Sequence, residues 1–178
     1  SLDSVQITLY SADPEIHNAL VGADGFEKTV QCIKNAKNAG LDVSINTPLC
    51  YLNRDYLKTI EFAMSLGVMY FSCSGLIPSG GALKEREDMR ALTENEITEL
   101  VVSAKKFAVE NGHAEVSFTS PGWIDERVLK KNGMVVPACG ACLSNMAVAP
   151  NGNVIPCQSW LGGETPGNML TDTWKSIW

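Results

Sequence analysis

The stretch that decides the fold is "VQITLYSADPEIHNALVGADGFEKTVQCIKNAKNAGLDVSIN", residues 5–46. Its opening residues alternate apolar and polar side chains, which is the period of a half-buried strand. Residues 26–40 carry apolar side chains at helical spacing and end at a glycine, and residues 41–46 form a second stretch of strand character. A strand, a helix and a second strand in this order predict a parallel βαβ unit.

The same alternation continues along the chain. We expect a helix at 54–67, a strand at 68–73, a helix opened by the capping box at 93–96, and a strand at 114–119. Strands that alternate with helices in this way predict an α/β fold with parallel strands. An open sheet and part of a TIM-like barrel fit the pattern equally well. Residues 1–120 are predicted to form the first domain.

The chain changes character after residue 120. Residues 121–138 are irregular, with room for one short helix. A hairpin signal follows, in which Asn151 and Gly152 stand between two arms of alternating polarity. We therefore predict a second, smaller domain over residues 121–178.

Composition and charge exclude several classes of partner. The 178 residues carry a net charge of −6 and contain no basic run. Because nucleic-acid binding depends on phosphate neutralisation by Lys and Arg, we expect no nucleic-acid partner. Neither an apolar run of membrane length nor a signal-peptide pattern is visible, so we expect a cytoplasmic protein without a membrane span. Six cysteines without a secretory signal favour metal or redox chemistry over disulfides.

Three cysteines form the strongest chemical signal. Cys139 and Cys142 are spaced as Cys-x2-Cys, and the predicted hairpin folds Cys157 back toward them. A structural zinc site needs four thiolate or imidazole ligands, and neither His17 nor His113 is near in sequence. A four-iron cluster also uses cysteine thiolates. From spacing alone, zinc and an iron–sulfur cluster are equally favoured, ahead of an incidental group of thiols.

The other reactive or special residues have simpler interpretations. We expect His17 to lie on a loop after the first strand and to fix that loop by hydrogen bonding. Isolated cysteines are commonly small packing residues, and this is the expected role of Cys32, Cys50 and Cys73. The segment 78–82, Pro-Ser-Gly-Gly-Ala, is expected to be a flexible turn rather than an anion-binding loop.

Polar side chains gather where the predicted strands end. In βα folds, ligands bind at the carboxyl edge of the sheet. The residues expected there are Thr8, Tyr10, Ser11, Asn46, Thr47, Ser72 and Ser74. These residues either line one crevice for a polar ligand or cap the helices that follow.

Three features carry a resemblance to a known family. Residues 6–49 contain an Asp-Pro-Glu-x-His-Asn loop and a Gly-Phe helix start between two strands. Cys142-x9-Gly152-x4-Cys157 fits the opening half of a cluster-binding cysteine pattern, with Cys139 equally able to serve as its first cysteine. The closing "GNMLTDTWKSIW" resembles the segment that follows such a hairpin. All three are similar to the radical S-adenosylmethionine (SAM) family, in its branch with a C-terminal SPASM domain.

The resemblance implies SAM chemistry. In that family a [4Fe-4S] cluster cleaves SAM reductively, and the resulting 5′-deoxyadenosyl radical abstracts a hydrogen atom from the substrate. By resemblance, Thr8, Ser11 and Asn46 face the ribose and carboxylate of SAM. Many members carry an arginine that contacts the carboxylate, three residues after the loop histidine, where this chain has Leu20.

The resemblance also implies an auxiliary [4Fe-4S] cluster on Cys139, Cys142 and Cys157, which accepts an electron or holds the substrate. It favours iron–sulfur over zinc at these cysteines. SPASM members often modify peptides, so a peptide or protein substrate is the leading expectation. The alternative is a zinc-stabilised α/β binding module without redox chemistry.

Two departures from the family pattern limit what we expect of the chain. The catalytic Cys-x3-Cys-x2-Cys loop and the glycine-rich motif that holds the SAM amino group are absent from the sequence. We therefore expect a C-terminal piece of a larger enzyme, inactive alone, with half of a partial barrel before half of an auxiliary-cluster domain. The first strand of such a half-barrel is an open edge, so we also expect self-association through it.

Overall fold

The computed structural model describes residues 2–77, 89–157, 160 and 163–178. The chain forms two compact units, Ser1–Pro137 and Ala138–Trp178. No helix within the described ranges is long and apolar enough to cross a membrane. The turn predicted at 78–82 lies outside the described residues.

The first unit contains a four-stranded parallel sheet in the order β1-β2-β3-β4. Its strands are β1 (Ser4–Thr8), β2 (Asp42–Leu49), β3 (Tyr70–Gly75) and β4 (Glu115–Phe118). Its helices are α1 (Pro14–Val21), α2 (Phe26–Asn38), α3 (Tyr56–Ser65), α4 (Glu94–Gly112) and α5 (Glu126–Lys131). The predicted α/β fold is therefore confirmed, and the alternating helices are consistent with part of an α/β barrel.

The helix boundaries follow the signals in the sequence. The Thr93 hydroxyl accepts a hydrogen bond from the Glu96 N–H, and the Glu96 carboxylate accepts one from the Thr93 N–H at 2.8 Å. This confirms the capping box. Helix α2 ends just before Gly40, whose φ of 76° is the left-handed conformation that glycine adopts without strain.

Helix α1 was not predicted, and the placement of His17 on a loop is wrong. The Asp13 carboxylate accepts hydrogen bonds from the backbone N–H groups of Glu15 and Ile16, and Pro14 occupies the first turn. Gly22 ends the helix in the left-handed conformation. The capping residues identify this helix, because its eight residues are too few to show a clear apolar period.

Residues 121–137 pack with the first unit, although they were predicted with the second domain. They contribute Ile124, Leu129 and Met134 to the same buried cluster as the sheet and its helices. The compact units consequently divide between Pro137 and Ala138. The domain assignment itself stays a prediction.

The second unit is built on the predicted hairpin. Strands β5 (Ala147–Val148), β6 (Asn153–Ile155) and β7 (Gly167–Asn168) form an antiparallel sheet, and α6 (Trp174–Ile177) follows. Gly152 has a φ of 86° in the turn, and its N–H donates to the Ala149 carbonyl at 2.8 Å. The hairpin prediction is confirmed, whereas β7 was not predicted. Trp174 and Trp178 stack with ring centroids 6.1 Å apart.

Candidate functional site

The parallel sheet has one apolar and one polar face. The apolar face packs against the helices, and its side chains are at most 3% exposed: Val43, Ile45, Leu49, Phe71, Cys73, Val116 and Phe118. Side chains alternate between the faces of a sheet, so the residues between these lie on the other face. Parallel sheets are usually apolar on both faces. A polar face is therefore a candidate ligand surface.

Two rows of polar side chains cross this face from one edge strand to the other. The strand register aligns Gln6, Ser44, Tyr70 and Glu115, which we call the amino-side row. It also aligns Thr8, Asn46, Ser72 and Ser117, which we call the carboxyl-side row. All of these residues except Ser72 are exposed or half-buried. We refer to the two rows together as the polar face.

Hydrogen bonds orient the centre of the polar face. The Ser72 hydroxyl donates to Oδ1 of Asn46 at 3.0 Å and accepts from Nε2 of Gln6 at 3.3 Å. Nδ2 of Asn46 donates to no group among the described residues, so it is available to a ligand. The Ser117 hydroxyl donates to the Phe71 carbonyl at 3.3 Å and offers only its lone pairs to the face.

A cavity of about 270 Å³ opens on the polar face. Its lining residues are Gln6, Ser44, Tyr70, Phe71, Ser72, Glu115 and Ser117. The only charged side chain in this lining is Glu115. The cavity therefore suits a polar ligand that is neutral or positively charged where it meets this carboxylate.

Asn53 ties together the loops that follow β1 and β2. Its side chain is 1% exposed, and Nδ2 donates to the carbonyls of Tyr10 at 2.9 Å and Pro48 at 3.0 Å. Its Oδ1 accepts from the Cys50 N–H at 2.8 Å. The Thr47 hydroxyl adds a further bond between the strands, to the Leu9 carbonyl at 2.8 Å. Hydrogen bonds from buried side chains thus fix the backbone at the carboxyl edge of the sheet.

His17 fixes the same edge from α1. Its Nδ1 accepts a hydrogen bond from the Tyr10 N–H at 3.3 Å, and its Nε2 lies 3.4 Å from the Thr29 hydroxyl. Burial lowers the pKa of the imidazole below its usual value of 6.5, which favours the neutral ring. The prediction of a fixing hydrogen bond is confirmed, although His17 makes it from a helix.

The structure brings together two of the three predicted SAM residues. Thr8 and Asn46 are register partners in the carboxyl-side row. Ser11 is 5% exposed, and its hydroxyl accepts from the Asp13 N–H at 3.0 Å, at the start of α1. Ser11 therefore lies in the loop after β1 rather than on the polar face.

The three cysteines predicted to hold a metal all lie in the second unit and are free thiols, with Cys139 and Cys142 exposed and Cys157 half-buried. Cys142 has a φ of 59°, and the Gly140 carbonyl accepts from three backbone N–H groups of this tight turn. The thiol chemistry fits zinc or iron–sulfur binding. The positions of these thiols do not form a metal site. In the described part of the chain, no group of three or more His, Cys, Asp or Glu side chains is arranged to hold a metal ion.

The other three cysteines differ from one another. Cys50 and Cys73 are buried, as predicted, and burial raises the pKa of the Cys73 thiol to about 12. Such a thiol is unreactive at neutral pH. Cys32 is exposed on α2, so its predicted packing role is wrong. The buried stripe of α2 runs through Phe26, Val30 and Ile33 and leaves Cys32 outside it.

Several curated proteins match this chain in sequence, although no family model does. The "Probable GTP 3',8-cyclase" of Saccharolobus islandicus (strain L.S.2.15 / Lassen #1) is 27% identical over 163 residues, covering 88% of this chain and 50% of that protein. The protein of the same name from Saccharolobus solfataricus (strain P2) gives the same values. A third, from Saccharolobus islandicus (strain M.14.25 / Kamchatka #1), is 32% identical over 98 residues, 52% of this chain and 32% of that protein.

These relatives support the radical SAM superfamily. GTP 3',8-cyclases are members of it, so this chain is similar in sequence to part of a radical SAM enzyme. The chain spans about half the length of the curated relatives it matches.

Sequence reasoning missed two parts of the site. Asn53 follows a predicted strand, but its three hydrogen bonds reach backbone groups whose proximity depends on the fold. The amino-side row was not predicted, because ligands in βα folds are expected at the carboxyl edge of the sheet. Its signal was present in the alternation of polar and apolar residues within each strand, as in Ser44 beside Val43 and Ile45.

Proposed function

We propose that this chain is part of a radical SAM enzyme and that its polar face lines the chamber in which SAM and the substrate bind. The observation that carries the proposal is the pair of polar rows across a parallel sheet whose other face is packed against helices. A buried parallel sheet has no need of such rows, whereas a ligand chamber does. The sequence similarity to radical SAM enzymes supports the same conclusion.

Asn46 and Thr8 are the proposed SAM contacts on this surface. Ser72 holds Oδ1 of Asn46, so the free Nδ2 is oriented to donate to a ribose or carboxylate oxygen of SAM. Thr8 is exposed beside it and supplies a hydroxyl. Ser11 contributes by shaping the loop after β1, through its bond to the Asp13 N–H.

Cys139, Cys142 and Cys157 are the proposed ligands of an auxiliary [4Fe-4S] cluster, within a SPASM-like second domain. Their thiols lie within one small unit and are at least partly accessible, which supports reconstitution of a cluster from solution. A cluster held by three cysteines has one iron without a protein thiolate from this set.

The leading substrate proposal is a peptide or protein, which rests on the SPASM resemblance. A guanine nucleotide is the second candidate, because relatives that match 88% of this chain are named GTP 3',8-cyclase. Both substrates would be held on the polar face.

Anaerobic reconstitution with iron and sulfide tests the cluster assignment. We expect about four iron atoms per chain and an electron paramagnetic resonance signal on reduction. The triple variant Cys139→Ser, Cys142→Ser, Cys157→Ser is expected to lose both, whereas Cys32→Ser, which alters an exposed thiol of the first unit, keeps them. If the chain binds stoichiometric zinc and takes up no iron, the cluster assignment is wrong and the chain is a zinc-stabilised binding module.

Equilibrium dialysis with labelled SAM tests the polar face separately. Loss of one hydrogen bond to a charged group costs about 1.5–3 kcal/mol, so Asn46→Ala is expected to weaken binding at least tenfold. Asn38→Ala, at the exposed end of α2, is the matched control and should leave the affinity unchanged. Equal affinities in the two variants would remove Asn46 from the site.

A further inference from the structure

The cavity on the polar face is lined by the whole amino-side row, together with Ser72 and Ser117 of the carboxyl-side row. Gln6 and Ser44 lie two residues along their strands from the proposed SAM contacts Thr8 and Asn46. Two residues of a strand span roughly 6–7 Å. A group in this cavity is therefore near the proposed SAM contacts without occupying the same positions. Neither the sequence similarity nor the proposed SAM contacts assign it a ligand.

Glu115 is the dominant group in the cavity. It is the first residue of β4, it is exposed, and its carboxylate makes no ion pair with the residues that the structure describes. An ionised carboxylate has only acceptors, arranged as a fork of two oxygens. The cavity lining contains no Lys, Arg or His to neutralise it. Water solvates this exposed carboxylate, and a ligand that displaces the water must donate hydrogen bonds in its place.

The neighbours of Glu115 favour a donor as well. Ser117 has committed its hydroxyl proton to the Phe71 carbonyl and offers only lone pairs. Gln6 lies on the opposite edge strand, three strands from Glu115, and does not face the carboxylate. Ser117 therefore adds an acceptor on the same face of β4 as the carboxylate, next to the Tyr70 ring of β3.

Tyr70 gives the cavity a planar wall. It is the register partner of both Ser44 and Glu115, and its side chain is 53% exposed. Adjacent strands lie about 4.8 Å apart, so a flat group paired with the carboxylate lies beside the phenol ring. Planar cations and bases stack on such rings.

We infer that this cavity binds a planar guanidine-type group, whose two parallel N–H donors pair with the Glu115 carboxylate beside Tyr70. This chemistry occurs in the guanidinium of an arginine side chain and in the N1–H and N2–H edge of guanine. Both match the carboxylate fork through two hydrogen bonds. The inference rests on the proposed function, since it assigns part of the substrate to the same polar face.

The test uses four probes in two matched pairs: arginine amide against lysine amide, and GDP against ADP. Their dissociation constants are measured by calorimetry on the full chain. We expect at least one guanidine-bearing probe to bind at least tenfold more tightly than its partner. Selective arginine amide binding assigns a peptide source, and selective GDP binding assigns a nucleotide source. If neither pair discriminates, the inference is wrong.

Glu115→Gln is the decisive variant, because it keeps the shape and removes the charge. We expect it to weaken binding of the selected probe at least tenfold. Glu61→Gln, at an exposed position on α3, should leave this affinity unchanged. Ser117→Ala should weaken the same probe less. An unchanged affinity in Glu115→Gln would overturn the inference. Iron uptake and SAM binding of Glu115→Gln are measured in parallel, and their retention separates failure of this inference from failure of the proposed function.

Discussion

Replacement of Asn53 by Asp tests how the carboxyl edge of the sheet is held. The change is isosteric, but it converts the two N–H donors of Nδ2 into an acceptor. That oxygen would face the carbonyls of Tyr10 and Pro48, which now accept from Nδ2 at 2.9 and 3.0 Å. The bond from the Cys50 N–H to Oδ1, at 2.8 Å, can remain.

The expected cost follows from the two bonds that are lost. A buried group left without its partner costs about 1–3 kcal/mol, so Asn53→Asp should lower the free energy of unfolding by about 2–6 kcal/mol. The buried side chain also raises the pKa of the new carboxyl above the usual 3.9. Because a raised pKa in the folded state favours proton uptake on folding, the destabilisation should shrink as the pH falls toward 4.

Urea unfolding, monitored by circular dichroism at pH 8.0 and pH 4.5, measures both effects against the unmodified chain. Asn95→Asp is the matched control, an exposed position in the first turn of α4, and should change stability by no more than about 0.5 kcal/mol. If Asn53→Asp costs no more than Asn95→Asp, or costs the same at both pH values, the three hydrogen bonds of Asn53 do not hold these loops.

Three further predictions address other positions. Gly75→Ala should lower the free energy of unfolding by about 1–3 kcal/mol, because a Cβ at Gly75 would overlap the Trp123 ring. Urea unfolding checks this, and the cost should largely disappear when Trp123 is changed to Ala. His17 should make the chain lose stability as the pH falls below 6.5, since its pKa is lowered in the folded state. His17→Gln should remove this pH dependence of the free energy of unfolding. A pH profile identical to that of the unmodified chain would contradict the prediction. Finally, Cys142→Gly should unfold at a higher temperature than Cys142→Ala, with a free energy of unfolding that is larger by about 1 kcal/mol. The reason is that the φ of 59° strains any residue with a Cβ. Equal stabilities would mean that the turn carries no strain.

The fold was predictable where a capping residue or a terminal glycine stood at the end of a long stretch of regular apolar spacing. The capping box at Thr93 and the glycine after α2 mark helix ends by chemistry that does not depend on the rest of the chain. Helix α1 shows the limit. Its caps are equally clear, but its short length and its buried polar residue, His17, hide the apolar face that periodicity detects.

The site was predictable only in part, because it depends on register. Thr8 and Asn46 were expected at one edge, and the parallel pairing does align them. Glu115 was not predicted as a site residue, since nothing local to β4 indicates that it lies across from Tyr70. Ser11 was expected beside Thr8, but its hydroxyl accepts a hydrogen bond from the Asp13 N–H in the turn that leads into α1.

The two outer strands of the parallel sheet are the edges through which we expect copies of the chain to associate. Within the described residues, β1 and β4 each pair on one side only. Because the Leu9 N–H donates to Asn46 and the Asp3 carbonyl accepts from Asp42, the backbone groups of Ser4, Gln6 and Thr8 point away from β2. Two copies joined β1 to β1 would be related by a twofold axis, pair antiparallel and stop at a dimer. Copies joined β1 to β4 would keep all strands parallel, and each addition would expose a fresh edge, so the same surface chemistry would produce a filament that lengthens with concentration.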